Sequence, residues 1–463
     1  MSTARTAIVA GGGIAGIATA LHLADRGVAV TLLEARRRLG GRATSFVDAK
    51  TGDEIDNCQH VVLGCCTAYL ALCERLGVLD RFEWHAEQFW VEAGGRESVI
   101  RPGRLPAPGH FAGSFLAARF LTAGEKAAIG AGMIAIGAAD RAAWRGRTFA
   151  DVLARLRQPQ GAVQRFWRPV VVSACNAEPE RADAGLALKV FQDGFLAGAD
   201  EARMGLSLVP LARLYDAAAE AIAAAGGSVR HGVSVERLWR GGVVTAAGDT
   251  LVADAVVCAL PPERAARVVD PAERRGDPRF IALDAIEHTP ILGVHLAFDR
   301  PVMARPHAVL VDRPTQWAFA KPPSDGRFPI HAVVSAADEW MDLPEATIVR
   351  RVMEDLEACF PQAWGGRPPT LLHARAVKER RATFAPTPAF EATRPTTAGS
   401  DGRGIILAGD YVAVGWPATM EGAARSGARA AEATLGLDPG RLGDLSGGGP
   451  LFNHLLRAVG WGP

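Results

Sequence analysis

Lysine is scarce in this 463-residue chain: Lys50, Lys126, Lys189, Lys321 and Lys378 are all it has, so arginine carries almost all of the positive charge. Neither sign of charge is in excess. With 51 Lys and Arg against 50 Asp and Glu, the net charge is +1. That balance gives no electrostatic footprint for nucleic acid and argues against that partner class. The seven cysteines are odd in number and form neither a CxxC pair nor a Cys/His ligand spacing. No disulfide framework and no metal site is therefore expected, and the cysteines fit a reducing, cytoplasmic compartment. No run of about twenty uninterrupted apolar residues occurs, so no bilayer-spanning segment is expected. The apolar stretch Thr6 to Ala20 contains a glycine-rich turn and lacks a cleavage pattern, so it is not read as a signal peptide. What is plentiful is apolar surface: 49% of the residues are hydrophobic, enough for a well-buried core in two or more lobes.

Thr6 to Ala10 reads as a short buried strand, Ala15 to Asp25 as a helix and Val28 to Glu34 as a second strand, the βαβ order of a parallel pair. Thr67 to Leu76 predicts a helix ended by Gly77. From Phe82 to about Gly205, aromatic-rich strands give way to helices spanning Phe115 to Leu156. Leu208 to Ala225 predicts one alanine-rich helix stopped by Gly226-Gly227. Short β-branched runs at Val229 to Leu238, Gly242 to Ala246 and Asp254 to Leu260 predict strands. Pro290 to Phe298, His307 to Asp312, Gln316 to Ala320 and Ile330 to Ser335 predict an antiparallel sheet. Ala346 to Phe360 predicts a helix, Gly404 to Gly409 a last buried strand, and Ala418 to Gly436 a final helix. No internal repeat is apparent.

Gly11-Gly12-Gly13-Ile14-Ala15-Gly16 fits GxGxxG through Gly11, Gly13 and Gly16. These glycines allow a tight turn, close approach of a pyrophosphate and close packing of helix on strand; the anion then sits at a helix N-terminus. Glu34, at the end of the second strand, can accept hydrogen bonds from a ribose diol. Taken alone the glycine motif is weak. Flanked by two strands and followed by Glu34, it predicts a dinucleotide site.

Arg36-Arg37-Arg38-Leu39-Gly40-Gly41-Arg42 follows, and could by itself be a solvated basic loop. In this position it resembles the Gly-Gly-Arg extension of amine-oxidase-like and phytoene-desaturase-like flavoproteins. Gly404-Ile405-Ile406-Leu407-Ala408-Gly409-Asp410 and Trp416-Pro417-Ala418-Thr419-Met420-Glu421-Gly422 resemble the second FAD motif of the same superfamily. The resemblance implies FAD held by Gly11, Gly13, Ile14, Ala15, Gly16, Glu34, Ala35, Arg36, Gly41, Arg42, Val235, Gly409, Asp410, Ala418, Thr419 and Met420. It also implies an α/β fold of amine-oxidase-like architecture, a Rossmann-like FAD-binding domain with an inserted mixed α+β substrate domain. The FAD domain is expected from residues 1–80, 205–275 and 401–440, the substrate domain from 81–204 and 276–400, with 441–463 a C-terminal segment.

Asp56-Asn57-Cys58-Gln59-His60 resembles the Asp-Asn-Gly-Gln-His stretch of hydroxysqualene dehydroxylases, with Cys58 in place of Gly. The likeness extends to Ala259-Leu260-Pro261-Pro262, to Ile291 to Phe298 with Asp299-Arg300-Pro301, and to Arg381-Ala382-Thr383-Phe384. It implies removal of an allylic hydroxyl from hydroxysqualene, with reduced flavin giving hydride to the allylic cation. Such chemistry needs an acid for the leaving oxygen and a dry site. Asp56, His60 and Glu421 are the candidate acids. Each also has a plain structural reading: a turn cap, a satisfied core histidine, and a carboxylate suited to a helix N-terminus.

A polyene substrate calls for an apolar tunnel and peripheral contact with the inner face of the cytoplasmic membrane. The stretch Phe111 to Ile136 and the face of Leu451, Leu455 and Val459, with Phe452 and Trp461, are the segments proposed for that contact. Gly226 to Val235 lacks a second GxGxxG, so no NAD(P)H site is expected and the electron donor is unidentified; a separate reductase or ferredoxin would serve. A carotenoid-type desaturase, an amine oxidase and a flavin-binding subunit without turnover remain alternatives.

Overall fold

The structure is a computed structural model that describes residues 4–399 and 404–442. The proposed C-terminal membrane face at residues 451–461 lies outside the described residues. Five short strands form a parallel sheet: β1 (Thr6–Ala10), β2 (Ala29–Glu34), β3 (Ser228–His231), β4 (Ala255–Cys258) and β5 (Ile406–Leu407), in the order β3-β2-β1-β4-β5. β1 can be apolar at nearly every position because both faces of the sheet are covered. Ala7 and Val9 pack with helix α1 (Ile14–Ala24) and helix α2 (Met420–Leu435), while Ile8 and Ala10 pack with Val235, Val256 and Leu407 on the other face.

α2 lies directly against α1. A Cβ at Gly427 would stand 2.4 Å from the Ala15 carbonyl oxygen, and Thr19 Oγ1 donates to the Gly427 carbonyl at 3.2 Å. α2 therefore closes on α1.

The second large sheet has seven strands, in the order Leu371–Phe384, His288–Phe298, Phe328–Ser335, Trp317–Ala320, His307–Leu310, Gln88–Val91 and Glu97–Ile100. All neighbours are antiparallel except His307–Leu310 with Gln88–Val91. Alternation of side chains gives this sheet two unlike faces. Leu292, Val294, Leu296, Ile330, Ala332 and Val334 pack on Ile348, Val352 and Leu356 of the helix Glu345–Cys359. The opposite face carries Gly293, His295, His331, Val333, Trp317 and Phe319. A helical layer, Ala112–Ala117 through Ala199–Ala202, packs on the far strands around Trp167, Phe149 and Phe191. Among the described residues no helix is long and apolar enough to cross a membrane.

Three sequence expectations need correction. Val229 to Leu238 is two strands: Gly232, at φ +72°, ends β3, and Val235–Trp239 starts an antiparallel sheet with Gly242–Thr245 and Thr250–Val252. Leu208 to Ala225 is a 3-10 turn, Leu211–Tyr215, followed by the helix Ala218–Ala224. The Leu211 and Ala212 N–H groups, at the start of that turn, are capped by the side chains of Asp56 and Ser45. The charged run Leu371–Phe384 carried no strand prediction, yet it is the longest strand among the described residues. It is an edge strand, where charged side chains are tolerated.

Candidate active site

The glycine turn between β1 and α1 is shaped by two collisions and one open space. Gly11 stands at φ +111°, and a Cβ there would lie 2.5 Å from the Ala259 carbonyl oxygen; one at Gly16 would lie 1.8 Å from that of Gly11. At Gly13, the N-cap of α1, the nearest atom to a Cβ is Gly41 Cα at 3.8 Å. Backbone N–H groups at this helix start have no side-chain cap, which leaves them for an anion. Glu34 stands beside them. Its two oxygens accept from the N–H of Gly12 at 2.8 Å and of Arg36 at 2.7 Å. Those bonds aim the carboxylate and leave further lone pairs for a diol. Ala35 and the Arg36 side chain are exposed next to it, while Ile14, Ala15 and Val235 are buried around the turn. The arrangement fits the adenosine and pyrophosphate end of a dinucleotide.

The C-terminal motif comes to the same place. Arg42 pairs with Asp410, and its guanidinium also donates to the Ala382 carbonyl at 3.0 Å. Gly41, at φ +67°, passes over Gly13. The Gly409 N–H donates to Ser426 Oγ at 2.8 Å, and Arg394 donates to the Asp410 carbonyl at 2.6 Å. Thr419 caps α2 by accepting from the Gly422 N–H at 3.1 Å, between half-buried Ala418 and Met420.

The stretch Asp56 to His60 lies beside Arg42, because Asn57 Nδ2 donates to the Arg42 carbonyl at 2.9 Å. Asp56 is buried; Oδ1 accepts from Ser45 Oγ at 2.8 Å and from the Leu211 N–H at 2.9 Å, and Oδ2 stands 3.9 Å from Lys321 Nζ. His60 Nδ1 donates to the Cys58 carbonyl at 3.0 Å, so its Nε2 is the free nitrogen of the neutral ring. Burial holds the His60 imidazole below its ordinary value. Cys58 has no left-handed φ, so the exchange for Gly carries no backbone strain. Its thiol packs with Leu206, Phe319 and Val333, and burial pushes it up to about 12, which keeps it protonated and inert.

Glu421 is elsewhere and fully occupied. It is completely buried and accepts from the N–H groups of Ala68 at 3.2 Å and Tyr69 at 2.7 Å, at the start of the helix Thr67–Arg75; Arg425 Nε donates to it at 2.5 Å. Burial raises its carboxyl, opposed by Arg425 and the two N–H groups. Its geometry is that of an anchor tying α2 to its neighbour.

Sequence reasoning missed the groups beneath the loop. His295 Nε2 donates to the Asp56 carbonyl at 2.9 Å, and His331 stacks on His295 with ring centres 3.9 Å apart. Burial brings His295 down to about 4 and His331 well below its ordinary value, so both are neutral near pH 7. Lys321, also pushed down by burial, completes the cluster. The period-two alternation of residues 288–298 was the available signal, for it puts His295 on the face opposite Val294.

The sequence pattern of the family described as "Flavin containing amine oxidoreductase" matches residues 14–435. A hydroxysqualene dehydroxylase of Sinorhizobium fredii is 30% identical, over 92% of this chain and 97% of that protein. A 15-cis-phytoene desaturase of Synechococcus elongatus is 26% identical, over 92% and 95%. Among solved structures, a putrescine oxidase double mutant superposes with a TM-score of 0.70 at 18% identity, over 94% of this chain and 99% of the other. Cyclohexylamine oxidase of Brevibacterium oxydans gives 0.64 at 20%, over 94% and 99%. The likeness to these structures agrees with the fold of two sheets. The chain belongs to the flavin-containing amine oxidoreductase family and is a flavin-dependent oxidoreductase.

Proposed function

We propose that the chain reduces hydroxysqualene to squalene and water, using FAD bound between the glycine turn and α2. The observation that carries this reading is the near full-length similarity to a hydroxysqualene dehydroxylase. The contact between Asn57 and Arg42 supports it, because it sets the distinctive loop against the cofactor motif. In this reading residues 1–80, 205–275 and 401–440 make the FAD lobe, and 81–204 and 276–400 the substrate lobe. Gly11, Gly13, Gly16, Gly41 and Arg42 hold the pyrophosphate, Glu34 the ribose, and Asp410 the ribityl chain, with the capped start of α2 at the ring.

Bound reduced FAD supplies the hydride that replaces the hydroxyl. The protein supplies a proton to the leaving oxygen and keeps water away from the electron-poor carbon. His60 takes the proton role only as an imidazolium. Nδ1–H stays on the Cys58 carbonyl, and Nε2 first takes up a proton and then passes it to the leaving oxygen. Because burial lowers this imidazole, the loaded form, and with it turnover, should grow as the pH falls below about 7. Asp56 anchors the loop, and the apolar group of Phe319, Val333, Leu206 and Trp317 dries the space beside it. Leu116 and Ile134, 65% and 62% exposed within the stretch Phe111 to Ile136, would let that stretch touch a bilayer from which the polyene enters.

The test is anaerobic: enzyme reduced by light or dithionite is mixed with hydroxysqualene and the products are analysed. Squalene formation with stoichiometric return of oxidised flavin is expected. No squalene from the reduced enzyme, with desaturation of a polyene by the oxidised enzyme, would instead assign the activity named for the Synechococcus relative.

A further inference from the structure

We infer that His295 is a positioning residue that holds the Asp56 to His60 loop in its working place from the second sheet. The sheet meets this loop at consecutive residues. His295 Nε2 donates to the Asp56 carbonyl at 2.9 Å. Gly293, two residues earlier on the same face, leaves room for the loop and for His331: a Cβ there would stand 2.7 Å from His331 Nε2, 3.4 Å from the Asn57 oxygen and 3.7 Å from Cys58 Cα. His331, paired across the strands with His295, stacks on its ring at 3.9 Å and is itself fully buried. Both ring nitrogens of His331 lack a partner among the described residues, so its contribution is the stack. The hold is passed along the backbone. Fixing the Asp56 carbonyl and Cys58 Cα fixes the Cys58 carbonyl, which in turn holds His60 Nδ1. Lys321, 3.9 Å from Asp56 Oδ2, steadies the side chain of the same residue. Burial keeps His295 neutral at working pH, with its one ring proton directed to the loop.

The effect on turnover rests on the dehydroxylase reading; the effect on the loop does not. The FAD-loaded variants His295→Gln and His295→Met have the same reach and differ in whether they can donate. The Met variant should keep its FAD and visible spectrum, and its KM should stay within about threefold. Its kcat should fall by about 100-fold, the scale of a misplaced reacting group. Cys58, identified by peptide mapping, should become open to maleimide. The Gln variant should restore both kcat and Cys58 protection. Equal behaviour of the two variants, or a Met variant with wild-type kcat and a protected Cys58, overturns the inference. If wild-type enzyme makes no squalene, the dehydroxylase reading fails, and Cys58 protection alone decides the role of His295.

Discussion

At the residue scale, two of the acid candidates separate by what their oxygens and nitrogens already hold. His60 keeps a free Nε2 beside the flavin motif. Its exchange for Gln should leave FAD bound and lower kcat by about 100-fold or more, the usual worth of a positioned acid, measured as squalene formed per bound flavin. Glu421 has no capacity left. Replacing it by Ala takes the carboxylate from Arg425, which keeps its bond to Thr67 Oγ1 at 3.0 Å, and leaves the N–H groups of Ala68 and Tyr69 without their acceptor. The loss should be about 1–3 kcal/mol, read from denaturant unfolding of the holoprotein. Glu421→Ala should therefore act first on stability and FAD retention. The sequence named both residues because each sits in a recognisable motif. It could not rank them, because the partners of Glu421, Ala68 and Tyr69, lie 353 and 352 positions away in the chain.

At the scale of elements, the contact of α1 with α2 and the inward face of the second sheet decide most. A methyl at Gly427 would meet the Ala15 carbonyl oxygen at 2.4 Å and Ala18 Cβ at 2.8 Å. Gly427→Ala should push the helices apart, cost about 1–3 kcal/mol, and lower the FAD content of purified protein, read from the flavin absorbance. The sheet adds an acid limit. His307 is fully buried, and burial, with His85 nearby, lowers it from 6.5 to about 4. The unfolded chain then binds a proton between these values that the folded protein refuses. Stability is full above about pH 6.5 and falls as the pH drops toward 4, by about 3 kcal/mol for this histidine. Denaturant midpoints at pH 7 and pH 5 should show the loss, and His307→Phe should reduce it. An unchanged slope in that variant would count against the assignment.

At the scale of the whole molecule, residues far apart in the chain close one site. Arg42 and Asp410 are 368 positions apart and make one ion pair, while Asn57 reaches from the first segment to Glu379 in the edge strand of the second sheet, at 3.4 Å. The same architecture leaves Leu116 and Ile134 exposed on the helical layer. Purified holoprotein should therefore co-sediment with liposomes, and Leu116→Glu with Ile134→Glu should release it; a wild-type protein left wholly in the supernatant would remove the membrane proposal.

The sequence by itself determined the opening β1, α1, β2 unit of this protein. A glycine turn, the helix after it and a carboxylate at the next strand end are local features, and each is written in consecutive residues with a backbone reason for the residue type. The run β1, α1, β2 follows that prediction closely, and the final helix differs from it by a residue or two. The sequence did not determine the floor beneath the Asp56 to His60 loop. His295 and Lys321 meet Asp56, and His331 stacks on His295, only because three strands pair in one register, and a one-residue slip would turn every one of those side chains to the other face. The charged edge strand Leu371–Phe384 was hidden for the same reason, since an edge position permits what a central strand would reject. Which carboxylate is an anchor and which imidazole is free was decided by burial, and burial is a property of the packed chain.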